Sequence, residues 1–184
     1  YVSVPSQIVH SGNTPYFIDL EWEGEYQLYP YPIWDSATRF RKNMHTLLTY
    51  QILSFHHKKI LNIGTGGMIL TEDREFIKWA RPKIYDGRDY TKMYVDDDFQ
   101  CIGYHMYMTP EQAKRGLEIF HSERIKDNNP DCGSSKTYKD LSKQKIFEEY
   151  VNVPKKYKGI CTLYESNQYN TERYFSEFNY IQKK

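Results

Sequence analysis

Residues 54–67 read SFHHKKILNIGTGG: a serine, two histidines, two lysines and a glycine run, set between apolar stretches. Residues of these types can bind a metal, cradle a phosphate, form a cationic patch, or present a lysine amine as a nucleophile. His56 and His57 serve a metal poorly, because neighbouring side chains on an extended chain point to opposite faces and no nearby cysteine or carboxylate completes the set; no metal is expected. A phosphate loop of the G-x-x-x-x-G-K-[ST] kind needs its lysine after the glycines, whereas Lys58 and Lys59 precede Gly64, Gly66 and Gly67. A lysine pair is commonly just solvated. This pair, however, separates an apolar run from a glycine-rich turn that feeds another apolar run, which is where an α/β sheet places catalytic groups.

A lysine at a strand end, with a serine hydroxyl before it and glycines after it, suits a Schiff-base site for pyridoxal 5'-phosphate. The amine attacks the cofactor aldehyde, while a hydroxyl and backbone N–H groups hold the phosphate. Such a site also needs an acid facing the pyridine nitrogen. Asp35 fits, standing at the end of the apolar Ile33-Trp34 and followed by the small Ser36-Ala37. Taken alone, Asp35 reads more readily as a turn or helix-cap aspartate.

The elements that must position these groups are short. Tyr1 to Ser6 is expected to be a strand end, Gly12 to Pro15 a turn, and Tyr16 to Leu20 a buried strand. Further strands are expected at Ile33 to Asp35, within Leu47 to Phe55, and at Gly67 to Thr71. Thr71-Glu72-Asp73 opens an amphipathic helix, and residues 86–98 read as a loop. Thr109-Pro110 starts a second helix, expected to run to about Ile125 and to bury Leu117 and Phe120. Residues 128–135 (NNPDCGSS) read as a linker, followed by a charged, tyrosine-rich tail without evident chemistry. Strands interleaved with helices point to an α/β layered fold.

Composition narrows the function classes. The 25 basic and 24 acidic residues leave a net charge of +1, which argues against a dedicated nucleic-acid binder. No apolar run approaches membrane-spanning length and no signal-peptide pattern opens the chain, so no membrane association is expected. Cys101, Cys132 and Cys161 are far apart and odd in number, as reduced thiols of a cytoplasmic protein would be. Eighteen tyrosines and a 16% aromatic share suit half-buried positions at a surface or a subunit contact. The chain starts at Tyr1 without methionine, as expected of a fragment or a processed form.

SFHHKKILNIGTGGMILTED resembles the lysine segment of the DegT/DnrJ/EryC1/StrS family of PLP-dependent sugar aminotransferases, matching in register at Ser54, Phe55, His56, Lys59, Leu61, Gly64, Gly66, Gly67 and Met68. The resemblance implies that Lys59, not Lys58, is the Schiff-base lysine and that Ser54 holds the phosphate. IWDSATRF is similar to the strand end that carries the family's aspartate. It makes Asp35 the partner of the pyridine nitrogen and puts Thr38 where a Gln or His lies near the phenolic oxygen. VPSQIVHSGNTPYFIDL is similar to an upstream segment of the family and leaves His10 as the nearest candidate for the ring-stacking residue. GYHMYMTPEQAKRGL resembles the segment in which an asparagine reaches the partner subunit's phosphate, a place taken here by His105.

The implied fold is an α/β three-layer sandwich like the large domain of fold-type I PLP-dependent transferases, shortened. Residues 1–127 would form it and residues 128–184 a small C-terminal appendage. The implied activity is transamination of a keto nucleotide-sugar by an amino-acid donor, in a homodimer. The sequence departs from the family in several ways. The chain is about half the usual length, the N-terminal phosphate loop has no counterpart, Trp34 replaces a glutamate, and Tyr107 replaces an arginine. These departures motivate a second hypothesis, a catalytically silent remnant of the fold that serves as a binding or partner subunit.

Overall fold

The computed structural model describes residues 1–151; the tyrosine-rich tail and Cys161 lie outside them. Helix α1 spans Ser3–His10, where a strand end was expected. The β-branched residues of this stretch read as strand, but Pro5 sits in the first turn, where its missing N–H leaves no bond unmade. α1 stops in a Schellman arrangement: Asn13 N–H donates to Ile8 O at 3.1 Å and Gly12 N–H to Val9 O at 2.9 Å, with Gly12 at φ 79°. Tyr16 to Leu20 forms no strand. Tyr16, Ile18 and Leu20 are exposed, and Phe17 packs its ring 5.5 Å from Phe147. Their period-two pattern suits an extended chain, but no neighbouring strand pairs with it among the described residues.

Four strands make one mixed sheet in the order β1-β2-β3-β4: β1 Tyr26–Gln27, β2 Ile33–Asp35, β3 Tyr50–Ser54 and β4 Gly67–Leu70. The β1–β2 and β3–β4 pairs are antiparallel, and β2–β3 is parallel, with Asp35 opposite Ile52. The expected strands at Ile33 to Asp35, Leu47 to Phe55 and Gly67 to Thr71 are therefore present, and the described residues form a mixed α/β fold. The parallel pair is what matters for function, because it brings the carboxyl ends of β2 and β3, with Asp35 and Ser54, to one edge of the sheet.

Helix α2 covers Arg74–Ile84, and its N-cap is Asp73, whose Oδ1 accepts from Phe76 N–H at 2.9 Å. Helix α3 covers Pro110–Phe120 and opens on the expected Thr109 cap, completed by Gln112 as a reciprocal capping box. It ends five residues before Ile125, where Ser122 Oγ donates to Ile119 O at 2.7 Å. Leu117 and Phe120 are exposed, not buried. The inward face runs through Gln112, Gly116 and Ile119, and Ile119 joins the core. That core is small: Leu53 and Phe55 from β3 and its end, Leu61 and Ile63 from the lysine loop, and Ile119.

Polar residues occupy much of the interior. Gln51 and Ser36 are the most completely buried side chains, and each is bonded to Glu25, at 3.1 and 2.8 Å. Glu25 also pairs with Arg39 at 2.5 Å, and Arg39 grips Asp131 at 2.7 Å, with Arg41 on the same carboxylate at 2.6 Å. Burial pushes the Asp131 carboxyl up, but hydrogen bonds and charge from Arg39 and Arg41 outweigh it and hold the group below the ordinary range. Residues 128–135, read as a linker, are thus fastened to the sheet. Gly133 O accepts from Gly24 N–H, Cys132 N–H donates to Thr38 O, and Asn129 Nδ2 donates to Phe40 O, each at 2.9 Å.

Candidate functional site

The lysine segment is a folded-back loop between β3 and β4. His57 N–H donates to Gly64 O at 3.0 Å, Phe55 N–H to Gly66 O at 2.8 Å, and Lys59 N–H to His56 O at 2.8 Å. Phe55, Leu61 and Ile63 face the core, so the polar residues between them are forced outward. Gly66 has φ 123°, and a Cβ on Gly67 would lie 2.5 Å from Leu53 O. The glycines therefore permit a close return of the chain to β4. His56, His57 and Lys58 are exposed, whereas Lys59 is half-buried. The His56 imidazole is pushed below its ordinary pKa by loss of solvent and by the charges of His57, Lys58 and Lys59.

Asp35 and Lys59 are linked through one group of aromatic rings. Asp35 is held from two sides, with Oδ1 accepting Ala37 N–H at 2.9 Å and Oδ2 accepting the Tyr26 hydroxyl at 2.7 Å. Burial first, then the Asp35 carboxylate, holds the Tyr26 phenol well above its ordinary pKa, as a committed donor should be. Lys59 Nζ lies 3.5 Å from the Tyr138 hydroxyl. Trp22 links the two tyrosines, its ring 4.9 Å from Tyr26 and 5.7 Å from Tyr138. An acid and an amine thus share one aromatic surround.

The other expected site residues divide. Among the described residues, Ser54 Oγ receives only a long bond from His56 N–H, at 3.4 Å, and its hydroxyl proton has no acceptor there. Thr38 is buried and its hydroxyl points inward, to Gly24 O at 2.8 Å and Gly133 O at 3.3 Å. His10 is exposed in the last turn of α1 and makes no hydrogen bond or ring contact among the described residues. His105 is exposed and bonded to Asp86 at 2.9 Å, with the Tyr107 ring beside it. Tyr26, Trp22 and Tyr138 escaped the sequence reading, which took the tyrosine excess for general half-buried positions. The nearest signal was Tyr26, placed nine residues before Asp35 across a proline-rich turn. No group of three or more potential metal ligands occurs among the described residues, and no helix there is long and apolar enough to cross a membrane.

Residues 37–126 match the sequence model of the DegT/DnrJ/EryC1/StrS aminotransferase family. The match spans the whole lysine segment, α2 and α3, so the resemblance drawn from the sequence holds over that stretch. Trp22, Tyr26, Asp35 and Tyr138 fall outside it. No curated protein and no solved structure matches the chain significantly.

Proposed function

We propose that this chain, of which residues 37–126 carry the DegT/DnrJ/EryC1/StrS aminotransferase signature, is a PLP-dependent aminotransferase of nucleotide-sugar type. Its substrate is a keto nucleotide-sugar, its amino donor an amino acid, and its place amino-sugar or surface-polysaccharide synthesis in the cytoplasm. The observation that carries the reading is that Asp35, at the carboxyl end of β2, and Lys59, in the loop after β3, meet two tyrosines that pack on the same indole, Trp22.

The residues fit the cofactor at three points. Asp35 already accepts two bonds, yet a carboxylate offers about four acceptor sites, so it can still hold a proton on a pyridine nitrogen. The Ser54 hydroxyl can donate to a phosphate, and Lys59 supplies the amine. When bound, PLP provides an aldehyde for that amine to condense with and a ring that withdraws electrons from the adjoining carbon. Within the chain, Lys59 Nζ is the group able to take up and return a proton at the substrate α-carbon. Tyr138 orients it, Tyr26 and Ala37 N–H fix Asp35, and Trp22 keeps bulk water from one side. A three-layer sandwich and a homodimer with His105 turned to the partner belong to the same reading.

The test is borohydride reduction of the protein mixed with PLP, followed by peptide mass spectrometry. A cofactor adduct on Lys59, absent from Lys59→Ala, is expected; an adduct on Lys58 would move the register by one residue. One observation favours the second reading, a silent remnant acting as a partner subunit: the Thr38 hydroxyl is turned away into the Gly24–Gly133 contact. If the protein is colourless once unbound PLP is removed, with no absorbance difference in Lys59→Ala, the aminotransferase reading fails.

A further inference from the structure

Beside the aromatic surround lies an open cleft of about 390 Å³, lined by Glu21, Trp22, Glu23, Ser134, Ser135 and Lys136. None of these residues belongs to the stretch matched by the family, so the cleft is a feature of this chain's own flanking segments. Its two walls are far apart in sequence and clamped by backbone. Glu23 bridges Ser134, and Ser135 N–H donates to Trp22 O at 2.9 Å. Arg39 ties the same two segments together, donating to Glu23 O at 3.0 Å and pairing with Asp131 at 2.7 Å. The Trp22 indole is half-buried and fixed against Tyr26 and Tyr138, and the Tyr138 hydroxyl lies 3.5 Å from Lys59 Nζ. The cleft is therefore one ring away from the lysine.

Its chemistry selects a ligand class. Glu21, Glu23, Ser135 and Lys136 have no side-chain hydrogen bond or ion pair among the described residues, so their polar atoms are free to be shared with a ligand. Two carboxylates accept, one ammonium donates, and a hydroxyl does either, which matches groups that both donate and accept. Two carboxylates against one ammonium disfavour a phosphate, and a simple cation offers no acceptor for the Lys136 ammonium. What remains is a neutral, hydroxyl-bearing ring with one apolar face to lay on the indole, at a cleft volume in the usual range for small-molecule sites. The geometry points to this cleft as the subsite for an uncharged sugar ring, recognised through its hydroxyls by Glu21, Glu23, Ser135 and Lys136 and through its C–H face by Trp22. This deepens the aminotransferase reading and rests on it for the link between the sugar and Lys59.

The test is saturation-transfer NMR on the full chain without cofactor, using methyl glycosides of glucose, galactose and N-acetylglucosamine, with uridine diphosphate and choline as controls. Ring protons of at least one glycoside are expected to receive saturation, and Trp22→Ala is expected to weaken that binding about ten-fold. Trp79→Ala, which removes an exposed indole from α2, should leave it unchanged. Should Trp22→Ala fail to fold by circular dichroism, the exposed pair Glu21→Gln and Glu23→Gln replaces it under the same criterion. Absence of glycoside saturation, saturation that survives the folded cleft variants, or binding of uridine diphosphate or choline alone would overturn the subsite. The two readings separate cleanly: cofactor trapping on Lys59 without glycoside binding removes only the cleft. Glycoside binding that Trp22→Ala abolishes, without trapping, keeps the cleft and removes the aminotransferase.

Discussion

At the scale of single residues, the site depends on two phenols that hold the acid and the amine. Tyr26 donates to a carboxylate from a partly buried position, and a bond to a charged group contributes about 1.5–3 kcal/mol. Tyr26→Phe is therefore expected to lower stability in urea by about 2 kcal/mol. In the native protein Tyr26 should stay protonated at alkaline pH where exposed tyrosines ionise, visible as a missing step in the near-ultraviolet titration. Tyr138→Phe removes only a long contact to Lys59, so its expected effect is kinetic: slower cofactor trapping on Lys59 with urea stability within about 1 kcal/mol of the parent. A loss of stability as large as that of Tyr26→Phe would make Tyr138 a packing residue. Lys59, Asp35 and Ser54 could be proposed from the sequence because a lysine, an acid and a hydroxyl at strand ends suggest their chemistry locally and the family resemblance gives their register. The phenols could not, since a tyrosine reads alike whether it packs or positions, and Tyr138 meets Lys59 across 79 residues.

At the scale of elements, local signals decided what could be read. Thr109-Pro110 with Gln112 fixes the start of α3 through a capping box, and Ile33 to Asp35 forms β2 as its apolar run suggests. The end of α3 was harder, because its helical pattern continues past Phe120 and only the Ser122 hydroxyl interrupts it. α1 was mistaken for a strand because its β-branched residues outweighed the permissive Pro5. The start of α2 offers a test with a definite sign in pH. Asp73 caps it and accepts the Tyr50 hydroxyl at 2.6 Å; the Phe76 N–H, then that hydroxyl, hold its carboxyl below the ordinary 3.8. A depressed carboxyl stabilises the fold above its unfolded pKa, and the contribution is lost as pH falls through the folded value. Stability should thus decline below pH 3.8, and Asp73→Asn should flatten that decline while costing little at neutral pH. Asp73→Ala, which removes the cap altogether, should cost about 1 kcal/mol at pH 7 in urea unfolding.

At the scale of the whole molecule, a small apolar core is supplemented by the Glu25–Arg39–Asp131–Arg41 network, which joins segments more than ninety residues apart. No local pattern foretells such a clasp, and it is what turned an expected linker into part of the scaffold. Gly24 records how tightly it closes: φ is 76°, and a Cβ there would lie 2.2 Å from the Asp131 carboxylate. Gly24→Ala should therefore displace Asp131, and Arg39→Ala should leave two carboxylates short of their main partner, at a cost of about 3 kcal/mol in urea. Both should raise hydrogen exchange at residues 131–138 more than in β3. Outside this clasp, the stretch between α2 and α3 exposes Met93, Tyr94, Val95, Phe99, Ile102 and Tyr104, with Ile102 at 94%. These exposed side chains are where the contact of the proposed homodimer is to be tested. Ile102→Glu with Val95→Glu should then halve the mass in sedimentation velocity without changing the far-ultraviolet dichroism, because neither side chain contributes to the core. A mass that stays the same in both proteins would show that this surface is not the homodimer contact.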